Sequence, residues 1–215
     1  MDILISPLGS MFRDFLASVE RKCLICSPFI GEHPIRQLAA VVNEKGLERS
    51  LDLTILTDIS LDHLVTRSTD IRSLLWIKRR IRSTSIYYVP KLHAKVYVSD
   101  EKLALIGSAN FTDGGWFKNL ECAVRLIDPA LVKQVSRAIE RYSCLGSPLS
   151  ESHLNHLQVL VNELRSSLAA ERWSVDARIR EASEILARRT EDELIRIRIA
   201  NRTIHAIFSE TIEYI

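Results

Sequence analysis

Apolar positions along this chain change spacing several times, and the changes mark its elements. Residues 8–21 carry Met11, Phe12, Phe15, Leu16 and Val19 at three- and four-residue intervals, the period of a helix with one buried face. Residues 23–30 form a short apolar run closed by Pro28, which predicts a buried strand. Glu32–Lys45 returns to helical spacing and stops at Gly46, a helix-ending residue. Leu51–Ile59 alternates as a strand does. Residues 60–66 and 70–82 predict helices, Ser85–Val89 a strand, and Pro90 breaks it. Two apolar runs, Val96–Val98 and Leu103–Ile106, flank the polar Ser99-Asp100-Glu101-Lys102, the pattern of a β-hairpin. Leu120–Ile127 predicts a further strand and Ala130–Tyr142 a helix.

Strands alternating with helices predict an α/β layered fold. The hairpin inside that alternation makes the sheet mixed rather than all parallel. The expected fold class is therefore a mixed β-sheet flanked by helices, followed by an α-helical C-terminal extension. Gly146-Ser147-Pro148 marks the expected boundary, giving residues 1–146 as the sheet domain and 147–215 as the extension. After Pro148 there is no glycine or proline. Three apolar stripes follow at helical spacing: Leu154 to Leu168, Ile179 to Leu186, and Leu194 to Ile215. They suit a helical hairpin or bundle that packs on the domain, serves dimerisation, or links to a further domain.

With 47% hydrophobic and 26% charged residues in 215, the chain is expected to be globular. A net charge of +2 selects no partner, so local clustering decides. Lys78, Arg79, Arg80 and Arg82 lack compensating acids between Arg72 and Lys91, which makes them a candidate phosphate track. No apolar run is long enough to span a membrane. Asp2 stands where a secretory leader carries positive charge, so a cytoplasmic location is expected. Of the four cysteines, Cys23 and Cys26 lie inside a strand and lack the second pair a zinc site needs, so they read as core. No HExxH or carboxylate cluster appears, and neither a metal nor a cofactor is expected.

The chemistry concentrates in the hairpin. His93 and Lys95, two apart on an extended segment, share a face. Ser108 and Asn110 stand just past the returning strand. A turn at 99–102 brings 108–110 back beside 93–95, so an imidazole, an ammonium, a hydroxyl and an amide converge on one spot. Those groups can hold a phosphate and attack it. Glu121 opens the next strand among apolar neighbours, where a carboxylate needs a partner; an imidazole N–H is the natural one. His33, near the end of the second strand, can border the same site.

The spacing H-x-K-x4-D-x6-G-S-x-N, from His93 through Lys95, Asp100, Gly107 and Ser108 to Asn110, resembles the HKD motif of the phospholipase D superfamily. The resemblance continues through Phe111-Thr112 and Gly114-Gly115 to Asn119-x-Glu121. It implies a catalytic role for His93, Lys95, Ser108, Asn110 and Glu121, with Glu121 accepting a hydrogen bond from His93 and orienting it, Lys95, Ser108 and Asn110 on the phosphate, and Asp100 and Gly107 structural. It implies a phosphohistidine intermediate formed without a metal. Such chemistry uses two histidines with separated pKa values, and this chain has one H-x-K, so a homodimer is expected. The chain looks like the bacterial single-HKD endonucleases, and its Gly-Ser-x-Asn-Phe-Thr run resembles nucleases of restriction and phage-defence systems, DISARM among them. The expected partners are a nucleic-acid substrate, a second copy of the chain and a larger defence complex. A lipid phosphodiesterase and a non-catalytic nucleic-acid-binding subunit are the alternatives.

Overall fold

The structure is a computed structural model and describes residues 1–167. Eight strands form one sheet: β1 (Asp2–Ile5), β2 (Lys22–Cys26), β3 (Asp52–Thr57), β4 (Ser83–Tyr88), β5 (Val96–Ser99), β6 (Leu103–Gly107), β7 (Cys122–Leu126) and β8 (Ser147–Pro148). Their order is β1-β7-β6-β5-β2-β3-β4-β8. The strands β2, β3 and β4 run parallel, while β5, β6, β7 and β1 extend the sheet antiparallel from β2. The sheet is mixed and flanked by helices, as the pattern predicted.

Side-chain alternation gives the sheet two buried faces. Cys23, Ile25, Leu53, Ile55 and Tyr97 point to the larger core, where α1 (Gly9–Ser18), α2 (Glu32–Glu44) and α4 (Ile71–Arg80) lay their apolar stripes. The short α3 (Leu61–Val65) joins β3 to α4. Leu24, Cys26, Leu56, Val96 and Val98 point to the other core, against Val132 and Ile139 of α5 (Pro129–Glu140). Cys23 and Cys26 thus lie on opposite faces, and burial pushes both thiols up, that of Cys26 to about 12. They are core side chains and cannot act as a pair.

Two elements differ from the sequence expectation. β1 pairs with β7 at the sheet edge, yet Ile3 and Ile5 are each 74% exposed, so this strand has no buried alternation to betray it. At the expected boundary, Ser147 and Pro148 pair with Tyr88 and Tyr87. The helix that follows, residues 151–167, sends Leu154 and Val161 into the larger core together with Leu149. The first compact unit spans Met1–Leu164. The second and third apolar stripes, and Leu168 at the end of the first, lie outside the described residues.

Two features hold the hairpin in place. Asp100 accepts backbone N–H groups from Glu20, Arg21 and Lys22 at 2.8, 2.8 and 2.7 Å, tying its turn to the start of β2. Beneath the far end, Phe12 stacks on Trp116 at 4.5 Å and meets Tyr97 edge-on at 5.0 Å, with Phe111 against all three. This aromatic cluster fixes the segment that runs from Asn110 through a π-helical turn, Gly114–Lys118.

Candidate active site

The hairpin register puts the motif together. Val96 pairs with Ile106, and one step beyond, the Gly107 N–H donates to the Lys95 carbonyl at 3.1 Å. His93 and Lys95 sit in the extended segment just before β5 rather than on the strand. Lys95 Nζ lies 3.2 Å from His93 Nε2 and donates to the His93 carbonyl at 2.8 Å. The imidazole is exposed while the lysine is only 8% exposed. An imidazole is thus presented at the surface with a cation held behind it.

Burial lowers the Lys95 pKa from the usual lysine value, and the negative charge of Glu121 partly opposes that shift. The carboxylate therefore helps to keep Lys95 charged. Its hydrogen bonds go elsewhere: Glu121 accepts from the Ser108 hydroxyl and, at 3.1 Å, from Asn119 Nδ2. This corrects the expected His93–Glu121 hydrogen bond, which is not present among the described residues. Spacing along the chain put Glu121 at a strand start but could not say which neighbour its carboxylate would reach. Glu121→Gln is expected to move the alkaline limb of the pH–rate profile further below the ordinary lysine range. A drop of about one pKa unit costs roughly tenfold in rate above the limb. An unmoved limb would show that the Glu121 charge does not act on Lys95.

Gly107 is required where β6 passes β7. A Cβ there would stand 2.4 Å from the Cys122 carbonyl oxygen and 2.8 Å from Ala123 Cα. Ser108 then bridges the same two strands, its N–H donating to the Cys122 carbonyl at 3.0 Å and its Oγ accepting from Cys122 N–H at 3.1 Å.

Asn110 is positioned by a residue that the sequence did not single out. Ser27, fully buried one residue past β2, donates to the Phe29 carbonyl at 2.8 Å, accepts Phe111 N–H at 3.0 Å and lies 3.5 Å from Asn110 Oδ1. The only sequence signal is a serine before Pro28 at the end of an apolar run. Ser27→Ala is expected to cost about 1–3 kcal/mol, because it orphans the buried Phe111 N–H, and to lower kcat by freeing Asn110. Thermal unfolding and steady-state kinetics on the same sample check both. His33 borders this region through a 2.5 Å contact to Asp113, three residues past Asn110.

The four candidate track residues do not converge on the site. They lie where α4 leads into β4, at the end of the sheet where Lys22, Asp52 and Ser83 align. His93 is at the other end, before the Cys26–Val96 pair. Lys78 donates to the Thr84 carbonyl, Arg79 pairs with Glu151, Arg80 donates to Asn43, and Arg82 N–H donates to the Glu48 carbonyl. The sequence showed the cluster but not which end of the sheet it occupies. Among the described residues, no three or more His, Cys, Asp or Glu side chains gather as a metal site, and no helix is long and apolar enough to cross a membrane.

An open mixed sheet with the H-x-K and G-S-x-N segments meeting at one end of its central hairpin is the phospholipase D-like fold. Over residues 12–143 the chain matches the family described as cardiolipin synthase, PLD-like domain; it belongs to that family, within the phospholipase D superfamily. The minor cardiolipin synthase ClsB of Bacillus subtilis (strain 168) is 24% identical over 137 residues, which are 62% of this chain and 33% of that protein. The chain thus spans about a third of that relative's length. Among solved structures, the phospholipase D family member Nuc from Salmonella typhimurium superposes with a TM-score of 0.57 at 20% identity, covering 69% of this chain and 96% of that one. NucT from Helicobacter pylori gives 0.54 at 14%, covering 69% and 98%. Phosphatidylserine synthase from Haemophilus influenzae Rd KW20 gives 0.60 at 15%, covering 80% and 45%.

Proposed function

We propose that the chain is a metal-independent nuclease whose complete site forms between two copies. The observation that carries this is a single surface imidazole backed by a buried ammonium 3.2 Å away. In the first step His93 Nε2 attacks phosphorus, a P–N bond forms and the P–O bond to the leaving nucleoside breaks. The second copy's His93, protonated, gives its proton to the leaving oxygen. In the second step that imidazole takes a proton from water, whose oxygen attacks phosphorus while the P–N bond breaks. Lys95 and the Asn110 amide supply the charge and the donor for the non-bridging oxygens, where charge builds during transfer; Ser108, expected on the phosphate, instead donates its hydroxyl hydrogen bond to Glu121.

A second copy also suits the exposed surface beside the site. Leu120, next to Glu121, is 97% exposed, and Ser6 at the end of β1 hydrogen-bonds to the Glu121 backbone. Ile3, Ile5 and Leu120 thus place apolar side chains on the edge of the sheet nearest Glu121, where a symmetric partner would cover them. The lengths of the structural neighbours support the same arrangement. The match fills nearly all of Nuc and NucT but less than half of the phosphatidylserine synthase. The Gly-Ser-x-Asn-Phe-Thr run, which resembles nucleases of restriction and phage-defence systems, supports a reading in which the substrate is invading nucleic acid in the cytoplasm and the setting a defence complex.

The cardiolipin synthase relative favours a second reading, a lipid phosphodiesterase. A cavity of about 550 Å³, lined by Ile59, Tyr88, Leu149 and Leu157 but also by Ser60, Ser152, His153 and His156, has room for an acyl chain. The purified chain is to be incubated with single-stranded DNA, duplex DNA, RNA and phospholipid vesicles in excess EDTA. Cleavage of nucleic acid by a particle with the mass of two chains is expected. Release of a phospholipid headgroup with nucleic acid untouched would replace the nuclease by the lipid enzyme.

A further inference from the structure

On the outer side of the domain, away from the motif, α2 and α4 run side by side with a groove between them. Helical spacing puts Arg72, Trp76 and Arg80 in one stripe along α4. Arg36 reaches across from α2, and the guanidinium carbons of Arg36 and Arg80 each stand 5.4 Å from the Trp76 ring centre. Trp76 is 36% exposed, against 1% for Trp116 in the core. A largely apolar helix face would bury this ring or do without it. Here the ring is kept at the surface between two cations.

The Arg36–Trp76 contact divides the groove into two pockets of about 240 Å³ each. One is lined by Arg36, Ala39, Ala40, Asn43, Trp76 and Arg80 and contains no carboxylate. The alanines leave the floor open, and Asn43 offers an amide whose oxygen accepts from Arg80 at 3.2 Å. The other pocket includes Arg72 with Glu32 and Asp70. There Glu32 holds Arg36 at 2.6 Å and Asp70 lies 3.6 Å from Arg72. The Glu32–Arg36 pair is exposed at both partners, and such pairs contribute little and exchange readily for another anion; Asp70 is half-buried, while the Arg72 guanidinium stays exposed.

The groove leads toward the site. Asp70, just before α4, donates its N–H to the Ile30 carbonyl at 2.8 Å, and Ile30 bridges to Phe111, the neighbour of Asn110. From Arg72 at that end to Arg80 at the other is two helical turns, about 12 Å.

We infer that the α2–α4 groove is a binding track for single-stranded nucleic acid, in which a base stacks at the Arg36–Trp76–Arg80 ladder and the flanking phosphates meet Arg72, Arg36 and Arg80. The inference rests on the nuclease reading and adds where the strand runs outside the catalytic cleft. The chemistry fits this ligand class. Aromatic and guanidinium planes take any base, and guanidinium forks take phosphate oxygens in pairs. A duplex keeps its bases stacked inside and offers the ladder only phosphates, so single strands are bound more tightly.

The test uses the full chain carrying His93→Ala, so that the strand is bound and not turned over. The probe is a fluorescein-labelled 12-mer of oligothymidylate, with its oligodeoxyadenylate duplex as the second arm. Two variants are compared with this parent, Arg36→Gln with Arg80→Gln, and Trp76→Leu. All the substituted side chains are partly exposed, and thermal midpoints matching the parent's confirm the fold. Each variant is expected to bind the single strand on the order of tenfold more weakly. The double arginine variant should also flatten the dependence of log K on log salt by about 1.4, from two lost phosphate contacts at ~0.7 each. Tryptophan emission should be quenched on binding in the parent and not in Trp76→Leu. If the parent binds the oligonucleotide and both variants bind it with the same affinity and salt slope, the track is wrong while the nuclease reading stands. If the parent binds no nucleic acid of either form, both fall.

Discussion

Lys95→Met should abolish phosphodiester cleavage while leaving the thermal midpoint unchanged or raising it. The loss of rate is expected to reach at least about 10³-fold, because the ammonium meets charge that develops only in the transition state. The stability effect has the opposite sign for a stated reason. Burial holds the Lys95 pKa below its usual value, so the folded chain binds this proton less readily than the unfolded chain does. Stability therefore rises as pH climbs from the folded pKa toward 10.5, and at neutral pH the buried charge costs stability. Methionine fills the same volume without that cost. His93→Ala should be equally inactive and equally stable, since the imidazole is exposed. Cleavage and unfolding measured on the same preparations separate the two effects. A Lys95→Met protein that melts well below the parent would mean that the lysine serves the fold.

Asp100→Ala should do the reverse, and unfold the domain at lower temperature while leaving the folded fraction active. The substitution removes an acceptor of three backbone N–H groups and puts a Cβ without a polar side chain at φ +51°. Hydrogen bonds to a charged group are worth more than neutral ones, but two of these three are exposed, so a total of about 3 kcal/mol is expected. For a domain of this size that is about 10 °C in Tm. Asp100→Asn, which tolerates the same backbone and keeps one acceptor oxygen, should fall between. A variant with an unchanged midpoint and lost activity would move Asp100 from the fold to the chemistry.

The contrast between Lys95 and Asp100 shows what a linear motif can and cannot say. The hairpin was legible because alternation and a polar turn fix its register, and the register alone brings Gly107 opposite Lys95. The opposite placement of Cys23 and Cys26 follows from the same alternation. Side-chain destinations are another matter. Glu121 reaches Ser108 and Asn119 rather than His93 because its direction depends on how β7 packs against β6, which spacing does not encode. The basic run at 78–82 reads as one cluster, yet Lys78, Arg79 and Arg80 turn to Thr84, Glu151 and Asn43 at the wrong end of the sheet. Ser27 left almost no trace, since its role depends on a contact 83 residues away in sequence. β1 stayed hidden because an edge strand that faces solvent has no buried side to pattern.

Trapping the covalent intermediate tests the nuclease proposal most directly. The chain is mixed with a labelled oligonucleotide in excess EDTA, quenched within the first turnovers in alkaline detergent, and digested for mass spectrometry. The expected product is a nucleotide attached to the peptide bearing His93, stable in alkali, released by mild acid and absent from His93→Ala. A chain that cleaves the oligonucleotide only after magnesium or manganese is restored, with no adduct on His93 at any time, would contradict it.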